Sequence, residues 1–149
     1  MTRYLAVDLG DKRTGLAVGD DVTGVVSPLR VVEVAAAERG GEALLDALVR
    51  AVGEQFSAGS AAEVVVGLPL NMDGTEGERA RMVRAFAARL EAGLSPRRVV
   101  HLFDERLTSV EADWQMARSG RTRGQKKKVR DALAAAALLR GFLAGREEA

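Results

Sequence analysis

The sequence predicts an α/β fold: a mixed, mostly covered sheet with helices on both faces. Three observations lead there. The chain opens with three strand-like runs joined by short turns. From residue 42 onward, segments with helical spacing alternate with short runs that are apolar on both faces, the pattern of strands covered by helices. Near the end, Ala132 to Leu139 is wholly apolar and alanine-rich, which marks a helix buried all round and packed closely on its neighbour.

The first run, Tyr4-Leu5-Ala6-Val7-Asp8-Leu9-Gly10, reads as the central strand, with one carboxylate near its end. Gly10-Asp11-Lys12-Arg13 is a turn, and Thr14 to Gly19 is the second strand. Asp20-Asp21 opens another turn, and Gly24 to Val32 is the third strand. Pro28 has no N–H to give a ladder, so this strand belongs at an edge. Short turns make the three an antiparallel meander. Ala35 to Gly41 is a loop or frayed helix start. From Glu42 to Phe56 the residues Leu44, Leu45, Leu48, Val49, Val52 and Phe56 form one helical stripe. Ser57 to Ser60 is a break.

Glu63 to Leu68 is the next strand, ended by Pro69. Thr75-Glu76-Gly77-Glu78 has the form of a capping box. The helix it predicts turns Met82, Val83, Phe86, Ala87 and Leu90 inward and Arg79, Arg81, Arg84 and Arg89 outward, and Gly93 and Pro96 stop it. Arg98 to Phe103 is the last strand, running into Asp104-Glu105-Arg106. A second capping box, Thr108-Ser109-Val110-Glu111, opens a helix carrying Val110, Trp114 and Ala117 on one face. Ser119 to Gln125 is a basic, glycine-containing linker, and the last helix spans about Val129 to Ala144. There is no internal repeat, and the expected organisation is a single domain over residues 1–149.

Composition narrows the function. At 149 residues, 47% apolar and 29% charged, the chain is an ordinary globular protein. Without cysteine it has neither disulfides nor a thiolate metal site, which suits a reducing compartment. Neither a signal peptide nor a bilayer-length apolar run is present, so a soluble, cytoplasmic protein without membrane partners is expected. The net charge of +1 is uninformative, but its distribution is not. From Trp114 to Arg130 there is no acid, while Arg118, Arg121, Arg123, Lys126, Lys127, Lys128 and Arg130 crowd together.

Three carboxylates are the candidate chemistry. Asp8 lies near the end of the first strand and Glu105 just past the end of the last. Ligands collect at the carboxyl ends of parallel strands. Asp131, one turn before Ala134 and Ala135, shares their face and stands at the rim of the buried helix. An oxygen-only set suits a hard cation, Mg²⁺ or Mn²⁺. Two such ions about 3.5–4 Å apart can stabilise the attacking and leaving oxygens of a phosphoryl displacement. Each acid alone has an ordinary explanation: turn amides for Asp8, Arg106 for Glu105, helix-dipole complementation for Asp131. Their conjunction beside a basic segment favours a site. That segment, with Lys12, Arg13 and Arg106, would hold phosphates without reading sequence: Arg121, Arg123, Lys126, Lys127 and Lys128 are its nucleic-acid-binding candidates. Trp114 reads as core and His101 as a strand-end residue. Asp8-Leu9-Gly10 also has the form of a phosphate turn of actin-like ATPases, but those need two such domains.

With these residues assembled, the chain resembles the YqgF/RuvX family, described as pre-16S rRNA nucleases or Holliday-junction-resolvase-like proteins. The motifs are Asp8 to Gly15, Gly67-Leu68-Pro69-Leu70-Asn71-Met72-Asp73-Gly74-Thr75, Asp104 to Ser109, and Lys128 to Ala135. The resemblance implies a ribonuclease-H-like fold with a five-stranded sheet in the order 3-2-1-4-5, strand 2 antiparallel. It also implies that Asp8, Glu105 and Asp131 are the catalytic acids. Asp11 stands where the family often has Thr or Ser, and Arg130 where an apolar residue often precedes the last acid. The expected protein is a metal-dependent nuclease acting on pre-16S rRNA, in contact with ribosomal precursor particles, as a monomer or homodimer. A Holliday-junction resolvase and a non-catalytic nucleic-acid-binding factor are the alternatives.

Overall fold

A computed structural model of the protein describes residues 1–107 and 123–148. Its sheet has five strands: β1 (Arg3–Leu9), β2 (Thr14–Asp20), β3 (Val26–Val32), β4 (Ala62–Leu68) and β5 (Val100–Asp104). Their order is β3-β2-β1-β4-β5. β2 is antiparallel to both β1 and β3, while β4 is parallel to β1 and to β5. The sheet and its order are those implied by the resemblance, and Pro28 lies on the edge strand β3, where its missing N–H costs nothing. The β2–β3 register shifts between Leu16 and Ala17, opposite Arg30 and Pro28.

The side-chain alternation of β1 sorts the core into two layers. Leu5 and Val7 face α1 (Glu42–Gln55) and α2 (Glu78–Gly93), packing with Leu16, Val64 and Val66 against Leu44, Leu48, Val83 and Leu90. Tyr4 and Ala6 face the other way, against α3 (Arg123–Glu148), where Ala17 and Val65 meet Ala135, Ala136, Leu138, Leu139 and Phe142. Helices thus cover both faces. The alanines let α3 lie close to the strands. Closest of all is Gly15 in β2: a Cβ there would sit 1.9 Å from the backbone oxygen of Asp131. Only a glycine permits that approach.

Several local expectations are corrected. Thr75 does not cap α2; Gly77 is its N-cap, without a side-chain bond. The Thr75 hydroxyl instead donates to Asp73 Oδ1 at 2.6 Å and accepts from Asn71 Nδ2 at 3.0 Å, a local turn that outcompetes the helix. Met82 is 64% exposed rather than core, because the buried stripe of α2 is Ala80, Val83, Ala87 and Leu90. The last helix begins at Arg123, not near Val129, so the end of the expected linker, Arg123 to Gln125, is already helical. Arg, Gln and Lys are good helix formers, and one Gly does not break such a run. Asp131 therefore lies well inside the helix, and complementation of a first-turn dipole does not explain it. The predicted Thr108–Glu111 capping box, Trp114, and residues 119–122 of the linker fall outside the described residues.

Candidate active site

Asp8 is the sixth residue of β1 and points to the α3 face, as Tyr4 and Ala6 do. Its cross-strand partner on β2 is Gly15. On the other side, Val7 pairs with Val66 of β4, so Gly67 flanks Asp8 there. Both positions beside the carboxylate therefore lack side chains, and each vacancy is filled by another acid's residue. The backbone of Asp131 lies over Gly15. The side chain of Glu105 lies over Gly67, where an added Cβ would meet its Cγ and Oε1 at 2.8 Å. Glu105 belongs to the short 3-10 turn Glu105–Leu107 that follows β5.

The result is a knot of like charge at the carboxyl ends of three parallel strands. Asp8 and Glu105 share a side-chain hydrogen bond, which requires a proton on one of them. Burial pushes the Asp8 carboxyl up to about 8, and the bond to Glu105 and the charges of Glu105 and Asp131 push in the same direction. Arg79 pulls it slightly down. Arg79 also ties α2 to the turn after β1, donating to Asp11 Oδ1 at 2.9 Å and to the Leu9 carbonyl at 3.1 Å.

The basic candidates divide. Arg13 donates through Nε to Asp131 Oδ2 at 2.8 Å. Arg106 grips Asp104, not Glu105: Nε lies 3.0 Å from Oδ1, Nη2 lies 2.7 Å from Oδ2, and Nη1 reaches the Met72 carbonyl at 3.1 Å. This clamp holds the Asp104 carboxyl below its usual range and fixes the end of β5 to the loop before α2. Lys12 is exposed in the β1–β2 turn. Arg123, Lys126, Lys127 and Lys128 lie on the opening turns of α3, upstream of Asp131, and Arg121 is outside the described residues.

The donor set can be tested against a divalent cation. Carboxylates crowded enough to keep a proton between them are what a hard cation relieves, since it favours the ionised forms that burial opposes. Among the described residues no three such groups gather around one point, and the third acid is bonded to Arg13. The set fits an ion on Asp8 and Glu105, with Asp131 available once its carboxylate leaves Arg13. Gly15, Gly67 and Arg79 are the site residues that the sequence reading missed. The signal for the glycines was present: both interrupt otherwise apolar strands, and an interior strand glycine marks a close approach.

Known proteins resemble the chain along nearly its whole length. The family model for RuvX, described as Holliday junction resolvase, matches residues 2–145. A protein of Anaeromyxobacter sp. (strain Fw109-5) named "Putative pre-16S rRNA nuclease" is 44% identical over 97% of this chain and 98% of its own. One of the same name from Anaeromyxobacter dehalogenans (strain 2CP-C) is 47% identical over 95% of this chain and 96% of its own. Among solved structures, Thermus thermophilus RuvC in complex with a Holliday junction substrate superimposes with a TM-score of 0.54 at 18% identity, covering 99% of this chain and 97% of that one. The fold is accordingly the one that this RuvC chain has.

Proposed function

The chain belongs to the RuvX family and is a nuclease, a hydrolase of nucleic-acid phosphodiester bonds, and from that premise we propose that Asp8, Glu105 and Asp131 are its catalytic acids and the ligands of Mg²⁺ or Mn²⁺. Nucleases of the RuvC and RuvX kind are generally dependent on divalent metal. The observation that carries the assignment is the convergence of the three acids at the carboxyl end of the sheet, where the Glu105 side chain lies over Gly67 and the Asp131 backbone over Gly15, the two glycines that flank Asp8. When bound, the ion supplies Lewis acidity toward a phosphate and neutralises developing negative charge.

The chain's own residues do the rest. Gly67 leaves the space in which Glu105 turns toward Asp8. Arg79 favours the ionised form of Asp8, the form that would hold the ion. Arg106 is committed to Asp104 and positions the segment that carries Glu105. Lys12, Arg13 and the basic residues Arg121, Arg123, Lys126, Lys127 and Lys128 hold the substrate backbone, giving affinity without sequence readout. We take the 5′ end of pre-16S rRNA as the substrate, after the names of the full-length relatives, and place the protein in the cytoplasm with ribosomal precursor particles. No described helix is long and apolar enough to cross a membrane. The family description favours a second substrate, a four-way DNA junction.

The test is cleavage of a 16S precursor fragment, single-stranded DNA and a four-way junction with Mg²⁺, Mn²⁺ or EDTA. Wild type should cleave only with metal, and Asp8→Asn should lose about a hundredfold or more while still binding the nucleic acid. The preferred substrate decides between rRNA and junction. Cleavage that survives both EDTA and Asp8→Asn would remove the carboxylates from the chemistry. Folded wild type that binds but cuts nothing would favour a binding factor.

A further inference from the structure

Two arginine–carboxylate pairs lie within this site, and they are built differently. Arg106 grips Asp104 as a fork, through Nε and Nη2, and spends Nη1 on the Met72 carbonyl. Each of its three nitrogens has a partner, as befits a structural arginine. Arg13 holds Asp131 by Nε alone, at 2.8 Å from Oδ2. Among the described residues its two Nη groups have no hydrogen-bond acceptor. The pair is partly shielded, with side chains 29% and 26% exposed.

The backbones on either side of this bond are fixed. Gly10 lets the β1–β2 turn close so tightly that a Cβ there would sit 2.4 Å from the Arg13 carbonyl oxygen. Gly15 holds the Asp131 backbone against β2. Any rearrangement of the pair is therefore a rearrangement of side chains. Asp131 cannot lose its partner for nothing, because a shielded carboxylate left unpaired is costly. A divalent ion held by Asp8 and Glu105 would remove that obstacle, since it would offer Asp131 more charge than the guanidinium does.

Resting on the nuclease reading above, we propose that Arg13 is a placeholder cation that surrenders Asp131 to the incoming divalent ion and passes its guanidinium to a substrate phosphate. Arg13 is then a positioning residue that couples metal loading to nucleic-acid binding. Each ligand strengthens the other through a single side chain, as linkage requires.

Calorimetric titration of Mn²⁺ into the nucleic-acid-free protein is the direct test. Arg13→Gln should bind Mn²⁺ several-fold more tightly than wild type, because the competing cation is gone, and Arg13→Lys should stay near wild type. Arginine that merely orients Asp131 for the metal predicts the opposite, weaker binding in Arg13→Gln, and equal binding also overturns the exchange. A second arm uses a labelled oligonucleotide junction in EDTA or Ca²⁺. Asp131→Asn frees Arg13 without any metal, so in EDTA its salt slope should steepen by roughly one unit, and adding Arg13→Gln should cancel the gain. A slope unchanged by Asp131→Asn overturns the proposal even if Arg13→Gln fails to fold. Wild type that neither binds Mn²⁺ nor cleaves removes the nuclease reading and this inference together. Metal-dependent cleavage with Mn²⁺ affinity unchanged in Arg13→Gln removes only the inference.

Discussion

At the amino ends of β4 and β5, His101 Nε2 lies 2.7 Å from Glu63 Oε1, and Tyr4 and Phe142 pack against the imidazole ring. At the carboxyl ends of the same two strands, on the same α3 face, Glu105 folds back over Gly67 onto Asp8. The first pair joins an acid to a base, and aromatic rings close around it. The second joins two acids with a third beside them, and the sheet makes room by omitting side chains on both neighbouring strands. A complementary hydrogen-bonded pair serves the fold at one end. At the other, the fold tolerates an arrangement it does not need, and such tolerance is the mark of a working site.

Four measurements would break or sharpen that contrast. The largest effect belongs to Gly15→Ala. Its Cβ has no space beside the Asp131 backbone, so the docking of α3 must yield. Denaturant unfolding should show a loss of about 3 kcal/mol or more, with cleavage lost as well. Next is Gly67→Ala, whose Cβ meets the Glu105 side chain first. Here cleavage should fall about tenfold or more while the unfolding midpoint moves little, since a side chain can step aside and a helix backbone cannot. Equal stability losses in the two variants would contradict the claim that one glycine serves the fold and the other the site.

The third measurement uses pH. Asp8 is pushed up to about 8 by burial and its acidic neighbours, so the folded, metal-free protein holds a proton that the unfolded chain releases near 4. Below the unfolded value both states are protonated. Between the two values the native state binds more protons, so stability falls as pH rises from about 4 to about 8 and then levels. Asp8→Asn should flatten this slope in thermal melts followed across that window. An ion held by Asp8, as proposed, would have to displace the same proton, so Mn²⁺ affinity should rise with pH over the same range. The smallest effect is His101→Gln. It should cost about 1 kcal/mol by weakening the Glu63 contact and leave cleavage as in wild type. A change in cleavage would mean the two ends are not independent.

Much of this was legible in the chain. The strands announce themselves as short apolar runs, and Pro28 alone places β3 at an edge. Asp8 stands out because a carboxylate in a covered strand needs a reason. The glycines opposite it were visible as letters, but their meaning depends on register: only once Asp8 is paired with Gly15 does a missing side chain become a seat for Asp131. Arg13 was read as a phosphate ligand, and nothing local tells that its partner is an aspartate 118 residues away. Thr75 misled for the opposite reason. Its capping signature is local, and a nearer local partner, Asp73, won the hydroxyl. Met82 fits the helical stripe of α2 yet lies at its margin, and periodicity alone does not say where the sheet beneath it stops.

The three acids come from residues 8, 105 and 131, and the last of them is held in place by a helix docked on β2. Until α3 has packed, β1, β4 and β5 can be fully paired and still present only two carboxylates. Assembly of the centre is thus among the most non-local events in folding and waits on a long chain closure. The consequence is a built-in delay. On the proposed assignment of the three acids, a molecule emerging from synthesis, or one whose last helix has transiently peeled away, would lack a complete centre. Such a centre would keep the chain from cutting before it is folded.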